Sequence, residues 1–371
     1  MRIAIDAKWY FGGPPSGITV VRNIVNEVIK LNGVDIVLLC DKRDSDRISE
    51  ILKNKHASNK VSVVYLRNPF NFTTNLFLRA SFLKKLDVDV AVFQNFIPLF
   101  RTKSCKYVAY IHDFLYIDYP QFFTFVERIV YRFITYSAKK ADHVITITNS
   151  EKERIKKHAR IGDDKISYVY HGVSDNFFPC EESKKSEIKK RLNLPSRYIL
   201  FVGRLNVRKN IRTLLEAYTL LKDKSIKVVI VGGENAKVYN LKKEVVRLNI
   251  SEDVIKLGYV SNQDLYEILA ASEVFVFPTF AEGFGLPPLE AMKSGVPTIV
   301  SNTTSMPEVC GDASLYFNPN SSTELAETLT SLLQNKTLKE ELINRGLEHS
   351  RSFKWEISAA QIIGIIERLM R

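Results

Sequence analysis

Short apolar runs recur along the chain, rich in β-branched and aromatic side chains. Each is followed by a stretch whose apolar residues fall three and four apart. The runs read as strands buried on both faces, the stretches as helices laid across them. That alternation is the pattern of parallel α/β sheets. In the first half the strand runs are 2–7, 35–40, 61–66, 89–94, 106–111, 142–147 and 166–170. In the second they are 198–203, 227–231, 254–257, 273–277, 297–300 and 314–317. Between the halves, Phe178-Pro179-Cys180 gives way to the charged run 181–187, which has no apolar period. A chain of 371 residues suits two domains. We therefore expect two Rossmann-like α/β domains, 1–178 and 179–353, and an amphipathic helix over 354–371.

Composition narrows this picture. Hydrophobic residues make up 45% of the chain, enough for two cores. No apolar run reaches 18 residues, which argues against a membrane-spanning helix. The opening Met1-Arg2-Ile3-Ala4-Ile5-Asp6 is charged too early for a signal peptide and reads as the first strand. Cys40, Cys105, Cys180 and Cys310 lie far apart, which predicts single buried thiols rather than a disulfide framework or zinc site. The net charge is +12, of which residues 1–180 carry +9, from 27 Lys and Arg against 18 Asp and Glu. An excess of this kind concerns partners, such as an anionic membrane surface or a phosphorylated substrate. No nucleic-acid module is recognisable, so no nucleic-acid partner is expected.

The richest stretch runs from Phe277 to Pro319. A strand leads into Glu282-Gly283-Phe284-Gly285-Leu286, and Pro287 and Pro288 sit where a helix would start. Glycines let a backbone approach a ligand, and a helix start favours an anion, phosphate above all. Glu290, in or near the first turn, could accept both hydroxyls of a ribose, and Glu282 could hold a second hydroxylated ring. The stretch Gly203-Arg204-Leu205-Asn206-Val207-Arg208-Lys209-Asn210 places two cations after a strand, a diphosphate clamp of Arg204 and Lys209, with Arg208 facing solvent. Another Gly-rich turn, from Trp9 through Gly12, Gly13 and Gly17, separates strand one from a helix expected over 19–31. Tyr110-Ile111-His112-Asp113 closes a strand at the edge where open α/β sheets bind ligands. Val231-Gly232-Gly233-Glu234 ends another strand in a tight turn. Ser150 and Glu153 have capping-box spacing at a helix start. In 114–140, Phe125, Val126, Ile129, Val130, Phe133 and Ile134 recur at helical spacing beside Arg128, Arg132, Lys139 and Lys140. They predict an amphipathic helix packed on the core, or one touching an anionic membrane or a lipid-linked acceptor.

Together these motifs resemble those of the retaining glycosyltransferases of family 4, which have the GT-B fold. The resemblance spans nearly the whole chain. It implies two parallel sheets facing across a cleft and a last helix that crosses back onto the first domain. It implies a donor site of Gly13, Gly17, Gly203, Arg204, Lys209, Gly258, Tyr259, Glu282, Gly283, Phe284, Gly285, Leu286 and Glu290, with catalytic roles for His112, Arg204, Lys209 and Glu282. The family often carries Gly-Ile-Gly where this chain has Gly17-Ile18-Thr19. Lys256-Leu257-Gly258-Tyr259-Val260 resembles the family's nucleobase segment, and His171 falls at a cleft wall. Tyr170-His171-Gly172-Val173 and Met306-Pro307-Glu308-Val309 are similar to bacterial mannosyl- and rhamnosyl-type transferases of polysaccharide assembly.

The expected reaction moves a hexose from a nucleotide diphosphate-sugar to a hydroxyl of a glycan or lipid-linked glycan, with retention. GDP-mannose is the first candidate donor and a UDP-sugar the next. No metal and no cofactor are expected: Asp87-x-Asp89 precedes its strand instead of ending one. The expected location is the cytoplasm, peripheral on the inner face of the membrane. The competing reading is an inactive nucleotide-sugar-binding or scaffold protein of the same fold.

Overall fold

The computed structural model describes residues 1–48, 61–66, 74–78, 80–233 and 239–371. The chain forms two compact units, Met1–Gly172 with Lys354–Arg371, and Val173–Phe353. The sequence-based boundary at 178/179 lies slightly past this division. Phe177 explains the offset: its ring packs edge-on against Tyr266, 4.6 Å between centroids, which ties it to the second unit.

All thirteen predicted strands are present. The first unit holds β1 (Arg2–Asp6), β2 (Asp35–Asp41), β3 (Val61–Leu66), β4 (Val90–Gln94), β5 (Lys106–Tyr110), β6 (His143–Thr146) and β7 (Ile166–Tyr168). They form one sheet in the order β3-β2-β1-β4-β5-β6-β7. The second unit holds β8 (Tyr198–Val202), β9 (Lys227–Val231), β10 (Val254–Gly258), β11 (Val274–Phe277), β12 (Thr298–Ser301) and β13 (Ser314–Phe317). Their order is β10-β9-β8-β11-β12-β13. Every pairing is parallel. Helices cover both faces of such sheets, so central strands are apolar throughout, as in the fully buried Val-Phe-Val-Phe of β11. Strand order reverses between β1 and β4 and between β8 and β11, and a reversal point opens a crevice at the strands' C-terminal ends.

The helices depart from expectation in places. The first runs Pro15–Val28, not 19–31. Pro15 has its φ preset for a first helical position, so Gly17 lies inside the first turn. The helix after β6 spans Asn149–Ala159 and is capped by Thr148, whose hydroxyl accepts from the Glu151 N–H at 3.1 Å; Ser150 falls inside it. The charged run beyond Cys180 is not a bare linker but a helix, Glu182–Arg191, with one buried apolar residue, Ile188. Ion pairs lie within the helix and run from Arg191 to Asp264 and Glu267 on the helix Asn262–Ala270. The helix Trp355–Met370 packs within the first unit against the helix Pro15–Val28. Ser358 Oγ donates to the Tyr170 carbonyl at 2.6 Å. A Cβ at Gly172 would meet the Trp355 nitrogen at 2.2 Å, so no larger residue fits there. Cys40, Cys105 and Cys310 are buried free thiols, and Cys180 is half-buried.

In the helix Phe125–Lys140 the apolar positions divide between the core and the surface. Ile134, Ser137 and Ala138 face inward. Phe125 and Val126 are 68% and 67% exposed, and Ile129 and Phe133 are exposed beside them.

In the second unit the loops after β8, β9 and β10 are laced together by backbone. Gly203 N–H donates to Val231 O (2.9 Å), Leu205 N–H to Gly233 O (2.8 Å) and Gly232 N–H to Gly258 O (2.8 Å). Gly232 has φ of +135°, and a Cβ there would lie 2.1 Å from the Gly203 carbonyl oxygen. Glu234 lies outside the described residues. Gly232→Ala should therefore strain the junction by about 1–3 kcal/mol. Calorimetry should show an unfolding midpoint lower by roughly 2–4 °C for each kcal/mol. An unchanged midpoint would mean that the loops part at no cost.

Candidate active site

The order of the second sheet makes β8 and β11 neighbours, so the loops that leave their C-terminal ends meet. The β8 loop carries Arg204, Arg208 and Lys209; the β11 loop carries Glu282. Asn206 accepts from the Lys209 N–H at 3.0 Å and caps a single 3₁₀ turn, Val207–Lys209. Asn210 follows in a left-handed conformation, φ 54°, which asparagine tolerates. Its buried amide donates to the carbonyls of Pro278 (2.9 Å) and Pro319 (2.8 Å), tying the β8 loop to the ends of β11 and β13.

This anchoring puts two cations on one carboxylate oxygen. Glu282 Oε1 lies 2.8 Å from Arg208 Nη1 and 2.8 Å from Lys209 Nζ, and accepts from Thr279 Oγ1 at 2.9 Å. Arg208, expected from the sequence to face solvent, instead turns inward: its guanidinium also donates to the Ala281 carbonyl at 2.6 Å. Phe280 N–H returns a bond to the Arg208 carbonyl at 2.9 Å. Lys209 Nζ stands 4.5 Å over the Phe277 ring. Burial opposes ionisation of Glu282, but the charges of Arg208 and Lys209 and the bonds from Lys209 and Thr279 outweigh it and hold the carboxyl down at about 2. Burial pulls the Lys209 ammonium below its ordinary value, against Glu282 and with the repulsion of Arg208 and Arg204. Arg204 is exposed.

The Glu282 backbone is fixed as well. Its N–H donates to Thr304 Oγ1 at 3.0 Å, and Ser305 Oγ donates to its carbonyl at 3.0 Å. Gly285, φ +103°, caps the helix Leu286–Lys293; a Cβ on it would lie 2.2 Å from Met306 Cε. Pro287 and Pro288 sit at the helix start as predicted, but they carry no N–H. The amides of Gly285 and Leu286 are what the helix start offers an anion. Phe284 is buried edge-on against Phe353, 6.2 Å between centroids, so its side chain belongs to the core. Glu290 lies in the second turn of that helix, partly buried, and burial alone pushes its carboxyl up to about 7. Gly258, φ +72°, ends β10, and the exposed Tyr259 ring lies so close to Gly233 that a Cβ there would meet it at 2.4 Å.

His112, Gly13 and Gly17 belong to the first unit. His112 N–H donates to Asn95 Oδ1 (3.0 Å), and its Nε2 lies 2.8 Å from Gln94 Oε1, an acceptor, which places the ring proton on Nε2. Burial lowers the imidazole to about 4 despite nearby Asp6, so it is neutral at physiological pH. Sequence reasoning missed Trp9, whose ring lies 5.1 Å from that of His112. A Cβ at Gly13 or Gly17 would meet the Trp9 side chain at 2.9 or 2.7 Å, so these glycines make room for the indole. It also missed Asp6, Lys8 and Asn75. Lys8 Nζ pairs with Asp6 Oδ1 at 2.8 Å, and Asn75 Nδ2 donates to Asp6 Oδ2 at 2.6 Å, all buried. The available signal was polar residues ending an otherwise apolar strand. Among the described residues there is no cluster of three or more His, Cys, Asp or Glu suited to a metal ion.

Two family models match the chain: Glycosyltransferase Family 4 over residues 18–177, and Glycosyl transferases group 1 over residues 182–349. The structure resembles that of Anabaena Alr3699/HepE, solved in complex with UDP and glucose, with a TM-score of 0.75 and 18% identity over 99% of this chain and 100% of that one. The fold is thus of the GT-B class. In sequence, the O-antigen chain mannosyltransferase B of Escherichia coli is 31% identical over 268 residues, 71% of this chain and 70% of that protein. The serotype-specific mannosyltransferase WbdA of Escherichia coli is 28% identical over 281 residues, 72% of this chain but 34% of that protein. The chain belongs to glycosyltransferase family 4.

The Glu290 carboxyl gives a pH test. An unfolded glutamate titrates near about 4.3. Between there and about 7 the folded chain holds a proton that the unfolded chain has lost, so this group weakens the fold as pH rises through that window. Glu290→Gln should raise the unfolding midpoint at pH 8 by at least roughly 2 °C, and the gain should vanish below about pH 4. A gain independent of pH would show that the carboxyl is not the titrating group.

Proposed function

We propose that the chain transfers a hexose from a nucleotide diphosphate-sugar to a hydroxyl of a glycan or lipid-linked glycan, with retention and without a metal. The observation that carries this is the paired loop at β8 and β11. It offers fixed cations, a carboxylate held ionised, and a second, partly buried carboxylate at Glu290, which is a donor set for diphosphate, sugar and ribose. Arg204 and Lys209 take the diphosphate, with the main-chain amides of Gly285 and Leu286, and Gly203 and Gly283 let the backbone come close. Glu290 accepts from the ribose, Gly258 and Tyr259 border the base, and Glu282 holds the transferred sugar. His112, neutral with Nδ1 as an acceptor, is proposed to take a sugar hydroxyl, and Gly13 and Gly17 make room for the Trp9 indole beside it.

In this mechanism the bond from the anomeric carbon to the diphosphate oxygen breaks as the acceptor oxygen bonds on the same face. The acceptor's proton passes to the departing diphosphate. Arg204 and Lys209 stabilise the charge that builds on that leaving group, the part a metal plays in other transferases. No cofactor is required.

The donor is proposed as GDP-mannose, with a UDP-sugar next. O-antigen chain mannosyltransferase B supports the first, and the UDP and glucose bound in Alr3699/HepE the second. The acceptor is proposed as a growing polysaccharide chain on a lipid, reached from the inner face of the membrane. Among the described residues no helix is long and apolar enough to cross a membrane. The exposed Phe125, Val126, Ile129 and Phe133, flanked by exposed Arg128 and Arg132, suit shallow binding to anionic lipid.

Thermal shift against GDP, UDP, ADP and dTDP tests the donor. A ligand at 100 times its Kd adds about 2.7 kcal/mol, and GDP is expected to give the largest shift. No response to any of them would favour a catalytically inactive protein of this fold. Lys209→Ala should lower turnover by about 10²–10³, the scale of one lost electrostatic stabiliser, while wild-type turnover should survive EDTA. A change within a few-fold, or loss of activity in EDTA, would remove the clamp or the metal-free route respectively.

A further inference from the structure

On the functional reading above, Lys209 faces two demands. It pairs with Glu282 in the structure, 2.8 Å from Oε1, and it must also meet the donor diphosphate beside Arg204. A single ammonium that turns toward an incoming diphosphate loosens its hold on a buried carboxylate. A buried carboxylate stripped of its counter-ion is costly, and it gives up its charge by taking a proton.

Arg208 removes this conflict. Its guanidinium lies 2.8 Å from the same Oε1 and donates to the Ala281 carbonyl one residue earlier, at 2.6 Å. Its own carbonyl accepts from Phe280 N–H at 2.9 Å, so the residue is fastened to the Glu282 loop by both backbone and side chain. Thr279 Oγ1 completes the set on Oε1 at 2.9 Å. All three contacts fall on one oxygen. They fix the carboxylate's rotation and leave Oε2 for a ligand hydroxyl. Arginine suits this post because its planar fork bridges two acceptors and stays charged, whereas lysine is a mobile point charge.

We propose that Arg208 is a positioning residue: it stays on Glu282 Oε1 throughout turnover, keeping that carboxylate aimed and ionised while Lys209 is drawn to the diphosphate. The inference rests on the functional reading above and assigns a role to a side chain that reading leaves unused. The groups facing Glu282 are Arg208 and Lys209 from the β8 loop, Thr279 from its own loop and Thr304 from the loop after β12. Arg208 is the leading charge that offsets burial at Glu282.

The test uses the full chain, with GDP binding measured by calorimetry and steady-state kinetics measured across pH. For Arg208→Ala, kcat/KM at pH 7 should fall about 10–100-fold, the scale of a lost bond to a charged group, while the Kd for GDP stays within about two-fold. The acid limb of the pH profile should move to higher pH, because Glu282 keeps its charge less easily with Lys209 alone. Arg208→Lys should recover most of the rate and return the limb toward wild type. Unchanged kinetics in Arg208→Ala would overturn the proposal. So would GDP affinity falling in step with turnover, which would put Arg208 on the diphosphate itself. A rate loss with no movement of the acid limb and no recovery in Arg208→Lys would reduce the residue to a structural one, and also overturn it. Should Arg208→Ala not fold, Arg208→Gln, which keeps a donor without the charge, is judged by the same outcomes. Wild type that binds no nucleotide at all would sink the functional reading first; wild type that binds GDP and turns over beside unaltered Arg208 variants would sink only this inference.

Discussion

The second unit is arranged around one buried carboxylate oxygen. Glu282 Oε1 has two cations and a hydroxyl within 2.9 Å, and these contacts outweigh the burial. The chain must therefore deliver Arg208 and Lys209 together, from a loop that does not drift. Asn210 ensures this by bonding two carbonyls just past the ends of two other strands. Those strand ends are level because the parallel register of β8, β11, β12 and β13 sets them so. The charge cluster is thus a consequence of sheet order, and the sheet's C-terminal edge is built to serve it.

Glycine works differently in the two units. Gly232 and Gly203 let two loops touch backbone to backbone, which closes the edge of the sheet without side chains. Gly13 and Gly17 instead yield space to Trp9, whose indole lies beside His112. The neutral, singly protonated form of His112 follows from burial and from Gln94, so its chemistry is set by packing on the first sheet alone. The helix Phe125–Lys140 adds an apolar strip that no described residue covers fully, at the more basic half of the chain.

The alternation of apolar runs determined both sheets: each of the thirteen strands is where its run of buried, β-branched or aromatic residues falls, because a strand covered on both faces has no other composition open to it. Proline at helix starts and Gly-rich strand ends were legible for the same local reason, and they located the loops that carry Arg204, Lys209, Glu282 and Glu290. Helix edges were less legible. Thr148 and Ser150 are equally good caps, and the strand's end decided between them. The helix Glu182–Arg191 has no stripe to read: it buries only Ile188 and pairs through Arg191 with a neighbour about seventy positions away. Only the tertiary structure showed that Arg208 turns inward, that Trp9 fills the glycine turn, that Phe284 is core, and that Phe125 and Val126 are not. Each depends on which loops become neighbours. That is fixed by strand order, a long-range property that no local pattern of residues encodes.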